Sequence, residues 1–248
     1  MMKGVRSWAA AVAALMFALS MSPAMAAEAP SLQALVVTTE NWFASDATLR
    51  LYERSDVLSP WAPAGEKIPA VVGRNGLAWG RGIHPDPAAG GDPKREGDGK
   101  TPAGLFRLGP AFGDQPGGSV PWIGLPYQQM TEKSRCVDDM ASALYNRWVE
   151  EGSVPKDWNS SEEMVRKDGQ YRLGVWIGHN TDPVAAGSGS CIFLHIWKSP
   201  GAGTSGCTAV AEAALEALLR RLKPDANPVL IQLPRAEYQR LRGPWALP

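Results

Sequence analysis

The stretch CIFLHIWKSPGAGTSGCTAVAEAALEALLRRL, residues 191–222, decides how the rest of the chain is read. Its first seven residues, Cys191 to Trp197, are apolar and rich in branched and aromatic side chains, which predicts a strand. KSPGAGTSG, residues 198–206, is a run of turn formers that can fold the chain back. AVAEAALEALLRRL, Ala209 to Leu222, predicts a helix stopped by Pro224. A strand, a return loop and a helix would bring the strand end, with His195, to the helix start, with Cys207 twelve positions later.

Outward from this unit the chain reads mainly as strands. ALVVT (34–38), TLRLY (48–52), Ala70-Val71-Val72, TPAGLFRL (101–108), YRLGVWIG (171–178) and PVLIQL (228–233) are short apolar or alternating runs between turn signals. CVDDMASALYNRWVE, Cys136 to Glu150, predicts a helix, because Val137, Met140, Leu144 and Trp148 would share one face. Ser160 and Glu163 have capping-box spacing for a second, short helix. Residues 83–100 form a charged, Gly-rich loop, expected to be a surface excursion or a substrate lid. The 26 glycines and 21 prolines favour the same conclusion: a mainly β fold with a few helices.

The N-terminus has the form of an export signal. Lys3 and Arg6 precede an apolar run from Trp8 to Met21, and Ala24-Met25-Ala26 is a small-x-small cleavage site. The apolar run is too short to span a membrane comfortably, and no cysteine lies near enough to carry a lipid. Residues 1–26 are therefore expected to be removed, leaving a protein in the periplasm or cell-wall space with no stable membrane span. The mature chain carries 23 Lys+Arg against 25 Asp+Glu, a net charge of −2, which argues against a nucleic-acid partner. About 220 residues suffice for one domain with a single core. Residues 234–248 read as a polar C-terminal tail.

Three cysteines in an oxidising compartment leave one unpaired. Cys136 and Cys191 are the natural disulfide if Cys207 is the working residue. At a helix start, with Thr208 as cap, Cys207 would meet unsatisfied backbone N–H groups and the positive end of the dipole, which favour the thiolate. His195 at the facing strand end would be its general base. The backbone N–H groups of Gly206 and Cys207 would hold an oxyanion. Against this stands a structural cysteine under the helix, with His195 a buried, hydrogen-bonded core residue.

Competing chemistries are weaker. Cys191, His195, Cys207 and His179 match no standard zinc spacing, so no metal and no cofactor is expected. GDGKT, residues 97–101, lacks the first glycine of a phosphate loop, since Lys94 stands there. Arg135, beside Asp138 and Asp139, is a candidate for a charged substrate group, and Trp197 is the best candidate aromatic platform among nine mature tryptophans.

Several separated blocks carry a resemblance. EGDGKTPAG (96–104), RCVDD (135–139) and GSCIFLH (189–195), with SGC (205–207) after His195, resemble a branch of the L,D-transpeptidase (YkuD-type) catalytic domain family. The similarity covers about residues 32–233. It implies a β-rich domain of curved-sandwich type with a catalytic cysteine in a cleft. It also implies cleavage of a peptide bond in a peptidoglycan stem, often at diaminopimelate, through a thioester passed to an amine or to water. On this resemblance Cys207 is the nucleophile and His195 the base. The family motif has a second histidine where this chain has Ser205, and Arg or Asn where it has Ala209. The expected activity is transpeptidation. An L,D-carboxypeptidase or endopeptidase and a non-catalytic wall-binding module are the alternatives.

Overall fold

Branched residues and near-complete burial mark QALVVTT, Gln33–Thr39, as an interior strand, β1. The computed structural model describes residues 30–85 and 91–248 together with Met1, so the expected export signal lies outside the described residues apart from that methionine. Among the described residues no helix is long and apolar enough to cross a membrane.

The strands in chain order are β1, β2 (Asp46–Glu53), β3 (Ala62–Pro63), β4 (Ile68–Val71), β5 (Leu77–Trp79), β6 (Thr101–Gly113) and β7 (Tyr127–Gln129). After them come β8 (Ser134–Val137), β9 (Trp148–Glu150), β10 (Ser161–Glu163), β11 (Leu173–Ile177), β12 (Phe193–Ile196), β13 (Thr208–Val210) and β14 (Val229–Pro234). Two α-helices, α1 (Glu212–Arg221) and α2 (Arg235–Leu241), follow β13 and β14.

The main sheet runs β1-β14-β6-β11-β12-β13-β4-β2, and β2 pairs back onto β1. Eight strands therefore close into a ring, which leaves no open edge among them. β3, β5 and β7 add to its rim. The fold is mainly β, as the sequence indicates, and the expected curved sandwich is realised as a sheet closed on itself. β14 is buried at all six positions because the ring interior covers one face and α2 packs near the other.

Three readings of helix are corrected. Cys136–Glu150 is not a helix: β8 and β9 flank a run of turns and pair antiparallel through Cys136 and Trp148. Asp139 accepts the Ala141 N–H at 2.9 Å, Asn146 adopts a left-handed φ of 56°, and Met140 is 55 % exposed rather than core-facing. The capping-box segment at Ser160 contains β10, which pairs with β8 to make a second, three-stranded sheet with β9. The third correction concerns residues 208–210. They form β13, wedged between β12 and β4, and α1 starts only at Glu212. The expected polar tail also contains α2, and it returns Leu241 and Leu247 to the core.

Candidate active site

β13 governs the position of the nucleophile candidate. β12 and β13 run parallel, with Leu194 opposite Thr208 and His195 opposite Ala209. The two-residue period of strands then puts His195, Ala209 and the Cys207 side chain on one face. Thr208 is not a cap: its hydroxyl donates to Gln232 Oε1 in the core. The helix dipole therefore does not act on the sulfur, and that part of the expectation fails.

The EGDGKTPAG block holds the cysteine from below. Asp98 accepts from Arg95 N–H (2.8 Å), Lys100 N–H (2.8 Å) and Lys94 Nζ (2.6 Å), closing a turn whose Gly97 and Gly99 have φ of 71° and 67°. Only glycine adopts such angles cheaply. The turn delivers Thr101, whose hydroxyl donates to the Cys207 carbonyl at 2.9 Å and accepts the Gly73 N–H at 2.7 Å. Thr204 donates to the same carbonyl at 2.6 Å and accepts the Gly206 N–H at 3.1 Å. One of the two expected oxyanion donors is thus bonded within its own turn at rest.

A disulfide fixes the opposite wall. Cys136 on β8 is joined to Cys191, just before β12, and Cys207 is the free cysteine. The bond ties the three-stranded sheet to the ring beside the thiol. Asn146 accepts the Cys191 N–H at 2.9 Å and donates to the carbonyls of His179 and Asn180, bracing residues 179–191. His179 is a structural histidine, with Nδ1 accepting the Arg81 N–H and Nε2 against the Ser188 carbonyl. With Cys191 in the disulfide and His179 so engaged, the four residues weighed for zinc do not form a ligand set.

Cys207 and His195 both line a cleft of about 470 Å³. Cys207 is 6 % exposed and His195 4 % exposed. The sulfur accepts the Phe193 N–H at 3.3 Å and faces the Cys191 carbonyl at 3.5 Å. Burial pushes the thiol up to about 12, with the Glu162 carboxylate adding to the effect. Burial pushes His195 down to about 4, against the opposing hydrogen bonds that the ring makes to the Ile196 and Gln170 backbone. The Ile196 carbonyl lies 2.8 Å from Nδ1, so Nδ1 carries the proton and Nε2 is left basic. The resting pair is thiol and neutral imidazole.

Both signs of charge line the walls, with Glu96, Asp138 and Glu162 acidic and Arg74, Arg166 and Lys198 basic. Lys94, Glu96 and Gly97 are part of this wall, so the C-terminal end of the 83–100 loop is built into the site. Ser205 lies on the rim and receives a hydrogen bond from Arg74 Nη1 at 3.1 Å. Trp197 and Arg135 lie outside the lining. Trp197 donates its backbone N–H to Val210 O, and Arg135 pairs with Glu151 at 3.0 Å and with the Glu132 carbonyl. The cleft residues that sequence reasoning missed are Arg74, Glu162, Arg166 and Tyr171. Arg74 follows β4, whereas Glu162, Arg166 and Tyr171 lie on β10 and the turns that lead to β11, at spacings that form no short motif.

A family model for the L,D-transpeptidase catalytic domain, YkuD, matches residues 44–231. The chain belongs to the YkuD family. No curated protein and no solved structure matches it. The match takes in every strand of the YkuD ring except β1, with β14 only partly covered, and all of the cleft just described.

Proposed function

We propose that this YkuD protein is an exported cysteine acyl-transferase that cuts a peptide bond in peptidoglycan stems and passes the acyl group to an amine. One observation carries the reading: the free cysteine, just before β13, and a neutral histidine on the neighbouring parallel strand β12 line one cleft. Nε2 of His195 takes the thiol proton, and the Cys207 sulfur attacks the stem carbonyl. The N–H groups of Cys207 and Gly206 receive the oxyanion, the latter after release from Thr204. His195 returns the proton to the departing amine as the thioester forms. An acceptor amine then adds to the thioester, gives its proton to His195, and frees the thiol.

The walls support a substrate carrying both amine and carboxylate groups, as a diaminopimelate stem does. Ala209 is buried in β13 and offers no cation where the family pattern has Arg or Asn. Arg74, entering from the turn after β4, brings a guanidinium to the same rim beside Ser205. In the proposal Arg74 takes the carboxylate contact, so Arg74→Met raises KM by about tenfold with a smaller change in kcat.

The test is incubation of the mature protein with purified muropeptides, followed by mass spectrometry of the products. New cross-linked or amine-exchanged stems that require Cys207 support the proposal. Shortened stems without cross-links would assign water as acceptor and make the protein a carboxypeptidase. Unchanged muropeptides would overturn both.

A further inference from the structure

Two acids that line the cleft, Tyr171 and Glu162, have no part in the mechanism above, and Tyr171 packs in one buried cluster with the nucleophile. Tyr171, 5 % exposed, packs its ring edge-on against the His195 imidazole, with centroids 5.0 Å apart and planes at 77°. Phe193 and Phe112 hold the same ring at 5.4 Å and 6.2 Å, and the Arg166 guanidinium covers it at 4.8 Å. Its hydroxyl donates to Glu162 Oε2 at 2.5 Å, and the ring shares one buried cluster with Phe193 and Cys207, where the hydroxyl favours the sulfur anion. Glu162 stands on β10 directly opposite Cys136, so the disulfide that ties Cys136 to Cys191 also sets the carboxyl beside the thiol.

We propose that Tyr171 and Glu162 form a hydrogen-bonded chain to Cys207 that controls how readily the sulfur becomes a thiolate. At rest the Tyr171 hydroxyl donates to the Glu162 carboxylate. When the thiol proton moves to His195, a proton from solvent enters on Glu162 through the open cleft. The Tyr171 hydroxyl then donates to the sulfur anion, and the protonated Glu162 donates to the Tyr171 oxygen. Sulfur and carboxylate thus share one negative charge rather than holding one each, which a buried site disfavours.

The surrounding charges agree with this sharing. Burial raises the Glu162 carboxyl, and the Glu162 charge in turn raises Cys207, while Tyr171, the Phe193 N–H and the Lys94 cation lower it. Lys94 and Glu162 act on the sulfur with opposite sign, and Arg166 lies against Tyr171 with its charge matched by Asp168 at 2.6 Å. Tyr171 is a catalytic residue in this account because its hydroxyl donates to the sulfur anion in the proposed step. Glu162 is a positioning residue that acts through it.

The inference rests on Cys207 being the nucleophile, but its test needs no substrate. Iodoacetamide alkylation of the mature protein is followed against pH, and Cys207 is the free thiol that reacts. Tyr171→Phe keeps the ring on His195 and removes the donor, so the profile moves to higher pH and alkylation at a fixed pH slows by about tenfold. Glu162→Gln keeps a partner for Tyr171 and removes the charge, so the profile moves to lower pH and alkylation speeds up by about tenfold. Circular dichroism establishes that each variant is folded; if Tyr171→Phe does not fold, Glu162→Gln alone decides. Profiles that superimpose on the parent, or shift in the opposite senses, overturn the proposal. Shifted profiles without muropeptide turnover would sink the proposed function and leave the chain intact.

Discussion

Burial holds the Cys207 thiol up at about 12 and His195 down at about 4, so at neutral pH the pair rests as thiol and free imidazole. In the proposed mechanism ionisation is favoured by the Phe193 N–H, which already bonds the sulfur at 3.3 Å, and by the Tyr171 hydroxyl, and not by a helix end. The backbone of the same residue depends on Thr101, which bridges the Cys207 carbonyl and the Gly73 N–H. Thr101→Val keeps the shape and leaves both groups without that partner. It is expected to cost about 1–3 kcal/mol of stability in a denaturant titration, with activity falling further than stability explains. At this scale the sequence was informative about which residues meet. Cys207, His195, Ser205 and Gly206 all line the cleft, but the origin of the thiol's environment was misread. A Ser-Gly-Cys-Thr run before an Ala/Leu-rich helix has the composition of an N-cap, and nothing local reveals that three residues are first taken by a parallel pairing with β12.

The same competition decides the elements. Val137, Met140, Leu144 and Trp148 recur at helical spacing, but the disulfide, the Asp139 turn and the left-handed Asn146 impose a pair of strands instead. Spacing reports amphipathicity, whereas pairing partners 55 residues apart at Cys136 and Cys191 lie beyond its reach. Strands flanked by Gly and Pro were legible because their apolar runs are short and their ends are marked by turn chemistry. The disulfide links the small sheet carrying Glu162 to the wall carrying Cys191. Cys136→Ser is expected to destabilise the protein by about 2–4 kcal/mol. It should also loosen Glu162 from Tyr171, giving faster amide hydrogen exchange in β8 and β10 than in β1 and β14. Uniform exchange across all four strands would contradict this coupling.

Over the whole molecule, buried titratable groups bound the pH range in which the ring is stable. His179 is held near 3 and His195 near 4 by burial, below their ordinary value of 6.5. Their stabilising contribution is full above pH 6.5 and is lost as pH falls, because the unfolded chain binds the protons the fold excludes. Glu162, with its carboxyl raised by burial, opposes this in sign, but one carboxyl faces two histidines. On the alkaline side Cys207, raised from 9.0 to about 12, loses its contribution as pH rises past 9. Melting temperatures are expected to form a plateau near neutrality and to fall on both sides. His179→Gln should flatten the acid arm, by about 1.4 kcal/mol per pH unit at most. A closed ring of eight strands with residues 96–104 packed beneath Cys207 makes the site part of the core, so the YkuD chemistry and the stability of the fold rest on the same groups. The most direct measurement of that chemistry is intact-protein mass spectrometry of the mature chain quenched in acid after mixing with tetrapeptide-stem muropeptides. The expected result is an added acyl mass on the peptide containing Cys207, removed by hydroxylamine and missing in Cys207→Ala. A protein whose mass never changes while its muropeptides are consumed, or an adduct that persists in Cys207→Ala, would contradict it.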